Sequence, residues 1–169
     1  YMDATKGWIP TIDGVVSDVP IAGNAEGIFG FGYTTTNVGM TNLVSNVGVV
    51  ATDVAAVGTV RRFISAVGYG GDKALFAFGY SDDVLATSNL VSNVGVVGTD
   101  VSGVGTARRS LAAARYGGDK AIFGYGYDVA GSVLSMSNLV SNSGVVASDV
   151  SGVGSSRGAL AAAEYSYSS

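Results

Sequence analysis

The string Leu75-Phe76-Ala77-Phe78-Gly79-Tyr80 alternates bulky and small side chains, and near-copies stand at Ile28-Phe29-Gly30-Phe31-Gly32-Tyr33 and Ile122-Phe123-Gly124-Tyr125-Gly126-Tyr127. Successive side chains of an extended strand point to opposite faces. Each copy therefore reads as a strand with rings on one face and smaller groups on the other. In the second copy Phe76, Phe78 and Tyr80 share a face opposite Leu75, Ala77 and Gly79; in the third, Phe123, Tyr125 and Tyr127 stand opposite Ile122, Gly124 and Gly126. Helix is a poor alternative, because glycine makes up 26 of the 169 residues and β-branched residues dominate between the glycines.

Outward from this string the chain repeats itself. The aromatic strings are 47 residues apart, Asn-Leu-Val-Ser-Asn recurs at 42–46, 89–93 and 138–142, and arginine recurs at Arg61, Arg108 and Arg157. The register defines units 14–60, 61–107 and 108–156, with two extra residues in the third between Tyr127 and Asn138. Residues 157–169 open a further unit or form a closing strand, and residues 1–13, with Trp8 and Pro10, form an N-terminal segment. Each unit is expected to be all-β with about four strands. In the third unit these are Leu111 to Tyr116, the aromatic string, a strand around Asn138–Asn142 and a valine-rich strand around Val145–Val150. The sequence Gly117-Gly118-Asp119-Lys120 has the chemistry of a tight hairpin between the first two. Two-faced sheets of this kind bury both sides when the rings of one copy fill the space over the small residues of the next. Stacked or radial repetition also protects strand edges.

Composition narrows the function. One domain's length of chain with 47% hydrophobic and 13% charged residues lies outside the range of disordered proteins. A net charge of −4 argues against nucleic acid as a partner. With neither histidine nor cysteine, the chain can build no zinc site of the usual ligands, no disulfide and no histidine- or thiol-based nucleophile. Apolar runs are broken every few residues, so no membrane insertion is expected, and no leader pattern follows Tyr1. A chain that starts at Tyr1 is expected to be a processed product or a piece of a longer protein. Glycine-rich strings such as Gly30-Phe31-Gly32 lack the Lys-Ser/Thr of a phosphate loop. No cofactor and no metal are expected: Asp72-Lys73 and Asp119-Lys120 offer one carboxylate per turn, too few for calcium and apt for turn formation.

Certain polar residues follow the repeat. Arg61, Arg108 and Arg157 each stand eight residues after an aspartate, namely Asp53, Asp100 and Asp149. An arginine's planar fork suits a bidentate contact with a carboxylate, so each is expected to bridge that aspartate, or one across neighbouring units, and to tether the units. A ring of arginines binding an anion is the functional alternative. Arg62 and Arg109 are expected at the surface. The loop after each aromatic strand varies most and contains Asp82, Asp83 and Asp128, while Tyr33, Tyr80 and Tyr127 end the strands beside it. That rim is where recognition would be placed on a fixed scaffold, or where the loop simply drifts in solvent. The tyrosine rings, repeated in position, are expected to pack between units, with stacking on sugars as the functional alternative. Asp82 and Asp83 do not form a glycosidase pair, since neighbours in a strand or loop point apart. No catalytic residue is assigned.

The unit resembles a kelch-type β-propeller blade. The matching residues are Arg108, Leu111-Ala112-Ala113-Ala114, Gly117-Gly118-Asp119-Lys120, Ala121-Ile122-Phe123-Gly124 and the strand through Asn138–Asn142. It departs from the pattern in two places: the double glycine becomes Gly-Tyr-Gly or Ala-Phe-Gly, and Val-Val stands where the last strand usually has tryptophan. The resemblance implies about three four-stranded blades per chain, with the ring completed by further copies or a longer chain; a closed β-trefoil of three units is the alternative. The glycine-rich texture also resembles repeat proteins of bacteriophage tails and fibres. Together these imply a non-enzymatic structural and attachment module of a virion appendage or other extracellular assembly, with a carbohydrate-binding propeller as the alternative. The partners expected are copies of itself, other virion proteins or a surface glycan.

Overall fold

Strand-forming sequence and paired glycines set the local structure. The computed structural model describes residues 2–3, 7–8, 26–55 and 57–165; Pro10 and the opening of the first unit lie outside the described residues. The strands are β1 (Met2–Asp3), β2 (Gly7–Trp8), β3 (Gly27–Tyr33), β4 (Asn37–Val44), β5 (Ser65–Tyr69), β6 (Lys73–Ala77), β7 (Ser88–Val91), β8 (Ala112–Tyr116), β9 (Lys120–Gly124), β10 (Ser137–Val140) and β11 (Val146–Val150). There is no helix among the described residues. Gly117 and Gly118 take positive φ, 59° and 82°, and reverse the chain between β8 and β9, as the hairpin chemistry requires.

All pairings are antiparallel, and they follow chain order. The third unit is a four-stranded meander in the order β11-β10-β9-β8. The second is the three-stranded sheet β5-β6-β7, with bridges Val91–Val97 and Ser88–Val101 in place of a full outer strand. The first shows β3 paired with β4 and the outer bridges Val44–Val50 and Thr41–Val54. Among the described residues, four full strands therefore form in the third unit only. In the described part of the chain the sheets stay separate and small.

The expected alternation of rings along the aromatic string is not what forms. β6 stops at Ala77, and Phe78 takes φ +64°, a left-handed backbone that reverses the pleat. Phe31 and Tyr125 do the same at φ +62° and +66°. Phe76 and Phe78 consequently face different neighbours. Phe76 packs with Phe31, Val91 and Val97, whereas Phe78 joins Leu75, Ala77, Phe123 and Val140.

This inversion lets one string serve two interfaces. The Phe76 ring lies edge-on to Phe31, with centroids 5.2 Å apart, and Phe123 repeats the contact with Phe78 at 5.4 Å. Gly30 lies directly under the Phe76 ring: a Cβ added there would come within 2.9 Å of it. The Phe76 ring of the second unit thus lies over a small residue of the first, the kind of contact that the two-faced pattern implies. The backbone seals each joint, since Gly32, Gly79 and Gly126 N–H donate to the carbonyls of Arg61, Arg108 and Arg157 at 2.9, 2.9 and 3.0 Å. Gly79 has φ +107°, and a Cβ there would sit 2.8 Å from the Arg62 carbonyl. Gly79→Ala is therefore expected to cost about 2 kcal/mol or more from backbone strain and collision together, read from urea unfolding followed by circular dichroism. A loss below about 0.5 kcal/mol would refute it.

Candidate functional site

Two polar sites follow from this frame: a buried clasp in the second and third units and an open pocket at the rim. Arg61 and Arg108 are fully buried. Each guanidinium stacks on the left-handed aromatic residue of the preceding unit, Arg61 at 4.4 Å from the Phe31 centroid and Arg108 at 4.8 Å from Phe78. Arg61 donates through Nε to the Phe78 carbonyl at 3.0 Å, through Nη1 to the Thr59 carbonyl at 2.9 Å and through Nη2 to Asn89 Oδ1 at 2.5 Å. Asn89 in turn donates to Asp100 at 2.9 Å, and Thr59 donates to the same carboxylate from its backbone N–H and its hydroxyl at 2.9 and 2.7 Å. The third unit repeats the set: Arg108 donates to Asn138, Asn138 to Asp149 at 2.9 Å, and Thr106 to Asp149 twice, at 2.9 and 2.8 Å.

The ion pairs run forward along the chain. Arg61 Nη1 lies 3.7 Å from Asp100 and Arg108 Nη1 3.6 Å from Asp149. The spacing of eight residues is thus not the pairing, and each arginine instead reaches the aspartate near the end of its own repeat. Asp53 accepts from Asn42 at 2.7 Å, and Arg157 donates to the Ser155 carbonyl at 3.3 Å. The physical reason is the meander: the fourth segment returns beside the strand through Asn89 or Asn138, against which the arginine already lies. Asn89, Asn138, Thr59 and Thr106 were not singled out from the sequence, although the asparagines open the repeated Asn-Leu-Val-Ser-Asn string.

Charge and burial oppose each other here. Burial lowers the Arg61 pKa to about 10, with the Asp100 carboxylate acting in the other direction. It lowers that of Arg108 likewise, against Asp149. Burial tends to raise Asp100 and Asp149, but hydrogen bonds from Thr59 and Asn89, or Thr106 and Asn138, and the arginine charge outweigh it. Both carboxyls end below their ordinary value of 3.8. A carboxyl lowered in the folded state contributes stability that is complete above its unfolded value and is lost as pH falls through the folded one. Unfolding free energy is therefore expected to drop on acidification below about pH 4, and Asp100→Asn to flatten that drop. Urea midpoints from pH 6 to pH 2 measure it, and an equal slope in both proteins refutes it.

At the rim, Tyr33, Thr36, Asn37, Val60, Arg62, Tyr80, Ser81 and Asp82 line an open pocket of about 520 Å³. Tyr33 is 56% exposed. Arg62, expected at the surface, is instead half-buried, with its guanidinium 4.5 Å from the Tyr33 ring and 5.2 Å from Tyr80. Arg109 likewise lies 5.4 Å from Tyr127 and 5.8 Å from Phe63. The expected rim residues divide. Tyr33, Tyr80 and Asp82 meet at one pocket, joined by Arg62 and Asn37. Asp83 accepts from the Val84 N–H at 2.7 Å and Asp128 from the Ser132 N–H at 2.8 Å, so both form turns. Tyr127 lies against Gly158, on another part of the surface. Asp72 pairs with Lys73 at 2.6 Å within its turn.

The chain matches no protein-family model and no curated protein.

Proposed function

We propose that this chain is a non-enzymatic structural and attachment module, built from kelch-like blades whose ring is completed by further copies or a longer chain. A virion appendage or another extracellular assembly is the setting that suits it. One observation carries the reading: the buried polar groups are used in a joint that repeats from unit to unit. Arg61 and Arg108, stacked on Phe31 and Phe78 and clasped by Asn89 with Asp100 and Asn138 with Asp149, hold sheet to sheet. Repetition of one contact makes stability a sum over neighbours, which suits a mechanical element. The outer turns add exposed valines, Val47, Val49, Val94, Val96 and Val145, to a surface of low charge. Incubation with glycoside, ester and phosphoester substrates is expected to give no turnover above the buffer rate. Turnover abolished by Asp82→Asn would overturn the reading.

The rim pocket favours a second reading, carbohydrate binding. Tyr33 and Tyr80 offer ring faces, Arg62 donors and Asp82 an acceptor around one concave surface. A glycan array is the test. A hit lost on Tyr33→Ala, with an unchanged unfolding midpoint, supports it, and an array without hits leaves the module purely structural.

A further inference from the structure

Each joint inside the chain has a donor side and an acceptor side, and among the described residues the two outer units each display one side exposed. The donor side consists of the left-handed aromatic residue, the arginine stacked on it and the leucine of the Asn-Leu-Val-Ser-Asn string. The acceptor side consists of the ring two residues before the next left-handed aromatic, the Asn/Asp pair and the glycine of the outer turn. Inside the chain Phe31 meets Phe76 and Phe78 meets Phe123. Leu43 lies against Gly95, and Leu90 against Gly144, so closely that a Cβ on either glycine would fall within 2.9 Å of the leucine.

The third unit displays the donor side. Arg157 stacks 4.2 Å from the Tyr125 ring, its carbonyl accepts from Gly126 N–H, and its Nη1 turns back to the Ser155 carbonyl as Arg61 does to Thr59. The guanidinium is thus already in the pose of the buried arginines, yet Arg157 is exposed, and Leu139 is 38% exposed. The first unit displays the acceptor side. Phe29, in register with Phe76 and Phe123, is 62% exposed, and Gly48, in register with Gly95 and Gly144, has open space where they meet leucine. Asn42 and Asp53 are already hydrogen-bonded to each other at 2.7 Å, as Asn89 and Asp100 are, but among the described residues no arginine enters them. The repeat register places Gly14 where the first unit would need that arginine.

We propose that these two sides bind each other between copies of this chain, head to tail, with Arg157 of one copy entering the Asn42–Asp53 pair of the next. Tyr125 then meets Phe29 and Leu139 covers Gly48, which reproduces the internal joint in register and in charge. The contact is heterologous, so it propagates until a ring closes or a filament grows. It rests on the structural reading above, and the two fail separately: a chain that stays monomeric overturns this contact and leaves the turnover test standing.

Sedimentation velocity of the 169-residue chain over a wide concentration range is the test. The weight-average mass is expected to rise with concentration. Arg157→Glu alone and Asp53→Arg alone are each expected to weaken association by about tenfold or more, because each then meets like charge at both ends of its own kind. An equimolar mixture of the two is expected to associate again, since each end of one variant is complementary to an end of the other. Both changes lie at exposed positions, and circular dichroism verifies folding. A wild-type chain monomeric throughout, reversals that associate as wild type, or a mixture no better than either variant would overturn the proposal. Association unaffected by the reversals would assign self-contact to another surface, such as the exposed valines.

Discussion

Asp149→Ala is expected to lower the unfolding free energy by about 3–5 kcal/mol, more than its counterpart Asp100→Ala, at about 2 kcal/mol. Both aspartates face a fully buried arginine, but the arginines are not equally provided for. Arg61 keeps the Phe78 and Thr59 carbonyls and Asn89 after Asp100 is removed. Arg108 keeps Asn138 alone, because its Nε and Nη1 find no hydrogen-bond acceptor among the described residues. Removing Asp149 therefore strands a buried cation whose one ion-pair partner among the described residues was 3.6 Å away. Arg108→Ala is expected to be no worse than Asp149→Ala, because the Asp149 side chain is 28% exposed and can hydrate. Urea unfolding of the single variants at pH 7 and low protein concentration measures the order. Equal losses for Asp100→Ala and Asp149→Ala would overturn it.

Phe123→Ala is expected to cost about 3–5 kcal/mol, and Phe29→Ala, at the same position of the repeat, less than about 0.5 kcal/mol. Phe123 is fully buried among Leu75, Ala77, Phe78, Leu111 and Val140, so truncation leaves a cavity that flanking strands cannot collapse into. Phe29 is largely exposed and leaves none. The comparison separates what a residue is from what lies beside it. The same urea titrations, at concentrations where the chain is monomeric, decide it. Similar losses at both positions would mean that unit-to-unit packing is not what holds the rings.

The strands and the hairpin glycines were legible because each depends on residues close in sequence. Period-two patterning around Leu75–Ala77 and the pair Gly117-Gly118 needs no distant partner to be recognised. The sheet-to-sheet contact was legible too, since alternating ring and small residues imply a neighbour of opposite relief, and Phe76 over Gly30 realises it. The alternation through Phe78 was misread: a left-handed residue with a large side chain has no mark in the sequence, and the neighbouring unit stabilises it by seating the ring against Phe123 and under Arg108.

The polar sites divide along the same line. Arginine and aspartate in register announced a clasp, but local spacing named the wrong partner, because a contact between residues 39 apart, such as Arg61 and Asp100, depends on how the meander returns. Arg62 looked like a solvated charge beside Arg61, and only the approach of Tyr33 and Tyr80 from two successive units shows it between rings. The sequence by itself determined an all-β repeat with aromatic joints, since strand propensity and periodicity are properties of short segments. Tertiary structure decided which aspartate each arginine meets, which rings are buried and which joint sides stay open, since those depend on what a neighbouring sheet brings within a few ångströms.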